Sequence, residues 1–198
     1  QTAAGSPLVF EGATANAHET TFAFTDPTAD RTITFPDSSF TVPTSGGTIQ
    51  QIVQATPITA ATASTTSTTF VDITGITVDI TPTLSSSTIL VCWNLSIGAN
   101  TGWHARLRLV RDSTSIAIGD ANGSRAQATA DVGYNLSMLN NSSIMFEDNP
   151  STTSATTYKA QWASESGGTV YLNRSYANTD NSDFVTGVST ITVWEILA

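Results

Sequence analysis

The sequence predicts an all-β chain in two parts: a run of very short strands, then an antiparallel sandwich or jelly roll. Composition is the first reason, with 35 Thr and 23 Ser among 198 residues and only 12% charged residues. Threonine is β-branched and favours extended backbone, serine and asparagine suit turns, and the helix formers Lys, Glu and Leu are scarce. The second reason is periodicity, since no window sustains a 3.6-residue apolar repeat over three turns while several alternate strictly. The third is punctuation. Pro27, Pro36 and the Gly46–Gly47 and Gly167–Gly168 pairs cut the apolar pattern into short runs.

In residues 1–45 the apolar residues come in pairs two apart: Leu8 with Phe10, Phe22 with Phe24, Ile33 with Phe35, and Phe40 with Val42. Gly12, "TDPTAD" and "PDSS" separate them, which predicts strands of about three to five residues joined by tight turns. A segment of roughly 45 residues has too little apolar surface to fold alone without disulfides, metal or oligomerisation. This one has neither a cysteine pair nor a metal-ligand cluster. The expectation is therefore a core shared between chains, with Phe10, Phe22, Phe24 and Phe35 meeting their symmetry mates on an axis. Residues 46–54 read as a linker, and "TSGGTIQQ" (44–51) as a hinge, because Gly46 and Gly47 sit among small polar residues.

Residues 55–198 should form the sandwich. Strands are expected at 68–73, 76–81, 88–97, 104–111, 115–119, 143–148, 155–164, 169–175 and 189–197, several with clean alternation such as Leu107 with Leu109 and Tyr158 with Ala160 and Trp162. "RDSTS" (111–115) and "ESGGT" (165–169) read as hairpin turns, the second with the Gly-Gly pair that supplies positive φ. Trp93, Trp162 and Trp194 fall within strands and are assigned to the core. The last strand is too apolar for a loose tail and should lie inside a sheet.

The charge balance is −9, from 7 basic against 16 acidic residues. A phosphate-binding surface needs clustered Lys and Arg, so nucleic acid is not an expected partner. Arg106 and Arg108 share one face of a strand, which suits ion pairs or a subunit contact. Cys92, the only cysteine, lies in the apolar run "TILVCWNLSI" and reads as a small buried hydrophobe. No run of about 20 apolar residues exists, so no membrane insertion is expected. A first residue of Gln1 suggests a piece of something longer.

Chemistry-bearing patterns are sparse. The two histidines, His18 and His104, have no neighbouring Ser and carboxylate suggestive of a triad, and no G-x-S-x-G occurs. Glu147, Asp148, Glu165, Asp180 and Asp183 are of the right type for a glycosidase pair, though sequence spacing says nothing of their separation. "GDANGSR" (119–125) resembles half of a calcium loop and lacks the closing acid. No catalytic residue, metal site or cofactor is predicted. N-x-[ST] sequons at Asn94, Asn122, Asn135, Asn140, Asn141 and Asn173 arise readily in so Asn- and Ser-rich a chain. What remains is surface recognition. "NTGWH" (100–104), "ADVGYNLSMLNNSS" (130–143) and "SYANTDNSDF" (175–184) combine an aromatic platform with adaptable hydrogen-bonding groups. The candidates in them are Trp103, His104, Tyr134, Asn135, Tyr176, Asn178, Asp180 and Asp183.

"LVFEGATANAHETTFAFTDPTADRTITFPDSSFTV" resembles the shaft motif repeated along tail fibres of marine T7-like bacteriophages. "RLRLVRDSTSIAIGDANGSRAQAT", "SIMFEDNPSTTSATTYKAQWASESGGTVYLNRS" and "STITVWEIL" resemble the head that follows such shafts. The resemblance implies a homotrimer: a β-shaft (1–45), then a jelly-roll head (55–198) similar to C1q and tumour necrosis factor domains. It implies exposure on the virion and attachment to a host-surface glycan or outer-membrane protein. Other tail proteins would dock through a portion preceding Gln1. Two further readings stay open, a structural virion component without a receptor, such as a capsid decoration or fibre joint, and a polysaccharide-degrading tail enzyme.

Overall fold

The computed structural model describes residues 8–11, 19–22, 28–30, 32–34, 37, 48–60, 63–100, 102–133 and 138–197. The chain divides into two compact units, Gln1–Val42 and Pro43–Ala198. In the first, β1 (Leu8–Glu11) pairs antiparallel with β2 (Glu19–Phe22), from Leu8 opposite Phe22 to Glu11 opposite Glu19. Both strands have four residues, within the short lengths that the turn residues predict. Phe10 is 51% exposed and Ile33 61%. Phe24 and Phe35, expected in the shared core, lie outside the described residues.

The second unit is all-β, with no helix among its described residues. Its strands are β3 (Ile49–Gln54), β4 (Ser64–Thr65), β5 (Val71–Ile80), β6 (Thr88–Ala99), β7 (His104–Arg111) and β8 (Thr114–Ile116), followed by β9 (Ala130–Gly133), β10 (Asn140–Asp148), β11 (Thr156–Ser164), β12 (Val170–Leu172) and β13 (Thr190–Ile196). They form two antiparallel sheets in a sandwich-like arrangement. The first is organised around β6, which pairs with β10, with β13 over its first half and with β12 at its end. β3 lies beyond β13, and β4 beyond β12. The second runs β5-β11-β7, with β8 and β9 both paired to β7.

Alternation sets which side faces inward. Ile89, Val91, Trp93, Leu95 and Ile97 of β6 and Ile191 and Val193 of β13 meet Leu107 and Leu109 of β7 and Tyr158, Ala160 and Trp162 of β11 in one core. A one-residue slip in any of these strands would turn its apolar set to the opposite face, so burial fixes the register.

Several expectations need correction. The latter part of the expected linker, Ile49–Gln54, is a strand, because its Ile and Val residues alternate in register with β13. The two strands expected at 68–73 and 76–81 are one, β5, which passes through Gly75 at φ 84. Facing that glycine, the β11 register shifts between Lys159 and Gln161, and only Gly reaches this φ without strain. "RDSTS" does make a hairpin, with Arg111 opposite Thr114 and Asp112 at φ 53. "ESGGT" does not: it carries the chain from β11 in one sheet to β12 in the other. Trp93 and Trp162 are buried, but Trp194 and Cys92 are half-buried on the outer side of the first sheet, in register with Leu90 and Met145 respectively. Desolvation there pushes the Cys92 thiol pKa up. Asn94, one of the sequon positions, is exposed on that same side.

Two inward carboxylates are held differently. Glu195 of β13 is fully buried and accepts hydrogen bonds from the Thr83 backbone N–H (2.6 Å), the Thr83 hydroxyl (2.7 Å), the Ser87 hydroxyl (2.7 Å) and Gln51 Nε2 (2.7 Å). These donors outweigh the burial that opposes charge, and they hold its pKa down to about 2. Asp148 of β10 is instead paired with Arg111 Nη1, 2.8 Å from both carboxylate oxygens, and accepts from the Tyr158 hydroxyl at 2.6 Å. That cluster ties the first sheet to β7 and β11 of the second.

Candidate binding site

The strand registers gather four connections at one end of the sandwich. Val170 pairs with Ala99, Ser164 with Ala105, His104 with Gly133 and Asn140 with Ile97. The β6–β7, β9–β10, β11–β12 and β12–β13 connections therefore share this end. Ile49, where β3 begins, lies at the other, opposite Ile196.

The longest of these connections, 173–189, is fastened at its base by Asn173. This residue is fully buried at φ 61, a conformation that Asn tolerates better than most side chains. Its Nδ2 donates to the Ile58 carbonyl (2.5 Å), its Oδ1 accepts from the Ser189 hydroxyl (2.6 Å), and its backbone bonds Ser96 and Gly187. The Asn173 sequon is thus inaccessible. The next residues lie directly over β6 at Gly98, where any side chain would collide with the Arg174 carbonyl.

From that base rises an aromatic and cationic cluster. The Arg174 guanidinium stacks 3.8 Å from the centroid of the Tyr171 ring, and Nη1 donates to the Ser175 and Tyr176 carbonyls at 3.2 and 3.3 Å. Tyr176, 39% exposed, stands with its ring centroid 6.0 Å from that of Tyr171. Beside them lies an open cavity of about 330 Å³, lined by Arg174, Asn178, Asp180, Asn181, Phe184 and neighbours in the same connection. Of the predicted residues, Asn178 and Asp180 line it. Asp183 does not: its backbone N–H caps the loop by donating to Asn181 Oδ1 at 3.1 Å.

Trp103 and His104 form a second group. The Trp103 indole packs on Gly168, whose missing side chain leaves room for the ring, so this tryptophan is half-buried support rather than an open platform. His104 stands between two acids, with Nδ1 2.6 Å from Asp131 and Nε2 3.4 Å from Glu165. Tyr134 and Asn135 lie outside the described residues. Among the described residues no group of three or more His, Cys, Asp or Glu side chains is arranged to hold a metal ion. "GDANGSR" is an exposed turn, closed by the Arg125 N–H on the Asn122 carbonyl at 3.2 Å.

Sequence reasoning missed Tyr171 and Arg174. Their signal was the alternation in "VYLNRSY", which turns Tyr171 away from the core while Val170 and Leu172 turn in. Chemically, the Asn178 amide both donates and accepts, the Asp180 carboxylate accepts from hydroxyls, and tyrosine faces cover apolar ring surface. This donor set suits a hydroxyl-rich ligand. No protein-family model and no curated protein matches the chain.

Proposed function

We propose that the chain is the C-terminal shaft and head of a bacteriophage tail fibre. In this reading it is a homotrimer whose jelly-roll head attaches the virion to a glycan or outer-membrane protein of the host surface. The observation that carries the reading is the placement of the loops: four connections, with the Tyr171–Arg174–Tyr176 cluster and the polar cavity, share the end of the sandwich opposite the start of β3. A sandwich that gathers polar and aromatic loops at one end is arranged for contact there. The two-sheet antiparallel architecture suits a jelly roll, and the paired four-residue strands of the first unit suit a shaft.

The test is cell staining with the fluorescently labelled intact chain on cyanobacterial and other marine bacterial cells. The expected result is saturable staining of a host strain that weakens about tenfold in Asn178→Ala/Asp180→Ala, since two polar contacts at roughly 0.5–1.5 kcal/mol each supply that factor. Unstained cells across such a panel would leave a structural virion role. Staining indifferent to the double substitution would remove the cavity from the contact.

A further inference from the structure

We infer that the outer face of the first sheet is the surface on which copies of this chain pack against one another; the inference rests on the oligomeric reading above. Successive rows across this face carry Ile52, Trp194, Leu90 and Glu147, then Gln54, Thr192, Cys92 and Met145. Met145 is 72% exposed, Ile52 57% and Ile49 47%. Over most of β13 Ile191 and Val193 face the core and Thr192 faces out, but its end is inverted relative to a solvent-facing strand. It turns its one carboxylate, Glu195, into the sandwich and its tryptophan, Trp194, out. Burying a charge without a counter-ion while exposing indole surface makes sense where the outer face is itself to be covered.

Charge identifies the occupant. The chain carries a net charge of −9, so copies repel one another wherever acids face outward. On this face the strands β3, β13, β6 and β10 present a single acid, Glu147, which lets like copies approach. A basic partner would find almost no acid to pair with. The first unit argues the same way, because a 42-residue unit with no cysteine has too little apolar surface to be stable alone in water. A copy of the chain brings a matching strand pair and a matching face together, and linkage of the two contacts raises the effective affinity of each.

The experiment uses the intact chain as Cys92→Ser/Met145→Cys, which places one thiol at the most exposed apolar position of the face. Its native mass is measured by light scattering, and its rate of reaction with an aromatic disulfide reagent is compared with that of the same chain in denaturant. A multiple-chain mass with the thiol slowed at least about tenfold is the expected result. Adding Ile52→Glu should restore fast reaction, and adding Thr77→Glu, on the outer side of the other sheet, should not. Circular dichroism checks that each variant is folded. A multiple-chain mass with a thiol as fast as in denaturant would overturn the face and leave the oligomer standing. A single-chain mass would overturn both.

Discussion

The outer sides of the two sheets are built from the same kind of alternating strand and carry opposite chemistry. On the second sheet, Lys159 donates to Asp72 (2.8 Å), Gln161 donates to the same carboxylate (2.6 Å), Arg108 donates to Gln161 (2.6 Å), and the Arg108 guanidinium lies 4.1 Å from the centroid of the Phe70 ring. That is a laced polar ladder suited to water. On the first sheet the corresponding positions carry Ile52, Trp194, Leu90, Cys92 and Met145 beside Gln54, Thr192, Asn94 and Ser143 and a single acid, Glu147, and the acid of β13 is turned inward. Alternation alone says that a strand has two sides; which side is dry follows from whether the polar residues find partners inside or outside.

The largest expected effect comes from undoing the inversion. Glu195→Leu strands four donors in a buried site, so the variant should lose on the order of 3 kcal/mol in denaturant unfolding. If the loss is under about 1 kcal/mol, the carboxylate is not what organises Thr83, Ser87 and Gln51. The same group sets a pH dependence. Its folded pKa of about 2 lies below the usual 4.5, so its contribution is fully present above pH 4.5 and is lost as pH falls toward 2. Acid titration of wild type and Glu195→Gln should show this component missing in the variant.

The second effect concerns the link between the sheets. Tyr158→Phe removes the hydroxyl from Asp148 while Arg111 still pairs the acid, for an expected loss of about 1–2 kcal/mol. A neutral result would mean that Arg111 alone satisfies Asp148.

The smallest effect belongs to the solvated ladder. Asp72, 54% exposed at its side chain, has its pKa lowered first by the Lys159 hydrogen bond and then by Gln161. Asp72→Asn should change stability by less than about 1 kcal/mol and leave the native mass unchanged. A large change in mass would move the association surface to the second sheet and reverse the contrast between the faces.

Much of the sandwich was legible because β6, β7 and β11 alternate over eight or more residues, enough for period to decide both type and inward side. β3 was not, since its glutamines and the preceding glycines look like linker until β13 supplies its partner. Trp194 and Cys92 misled for another reason. Hydrophobicity says that a side chain avoids water, not which side of its strand it takes, and Glu195 took the inward position because Thr83, Ser87 and Gln51 could satisfy it there. At the loop end, Asn178 and Asp180 were singled out from composition, and both line the cavity. Trp103 was read as an open platform because nothing in "NTGWH" reveals that Gly168, sixty-five positions later, lies beneath it. Arg174 was missed because a lone arginine beside a sequon carries no sign of stacking.

One measurement reaches the central claim, that this chain is completed by copies of itself. Light scattering on the intact chain at neutral pH should give three times the chain mass of 20.7 kDa, unchanged on dilution through the micromolar range. A stable species of 20.7 kDa would contradict it, leaving Trp194, Ile52 and Met145 facing water.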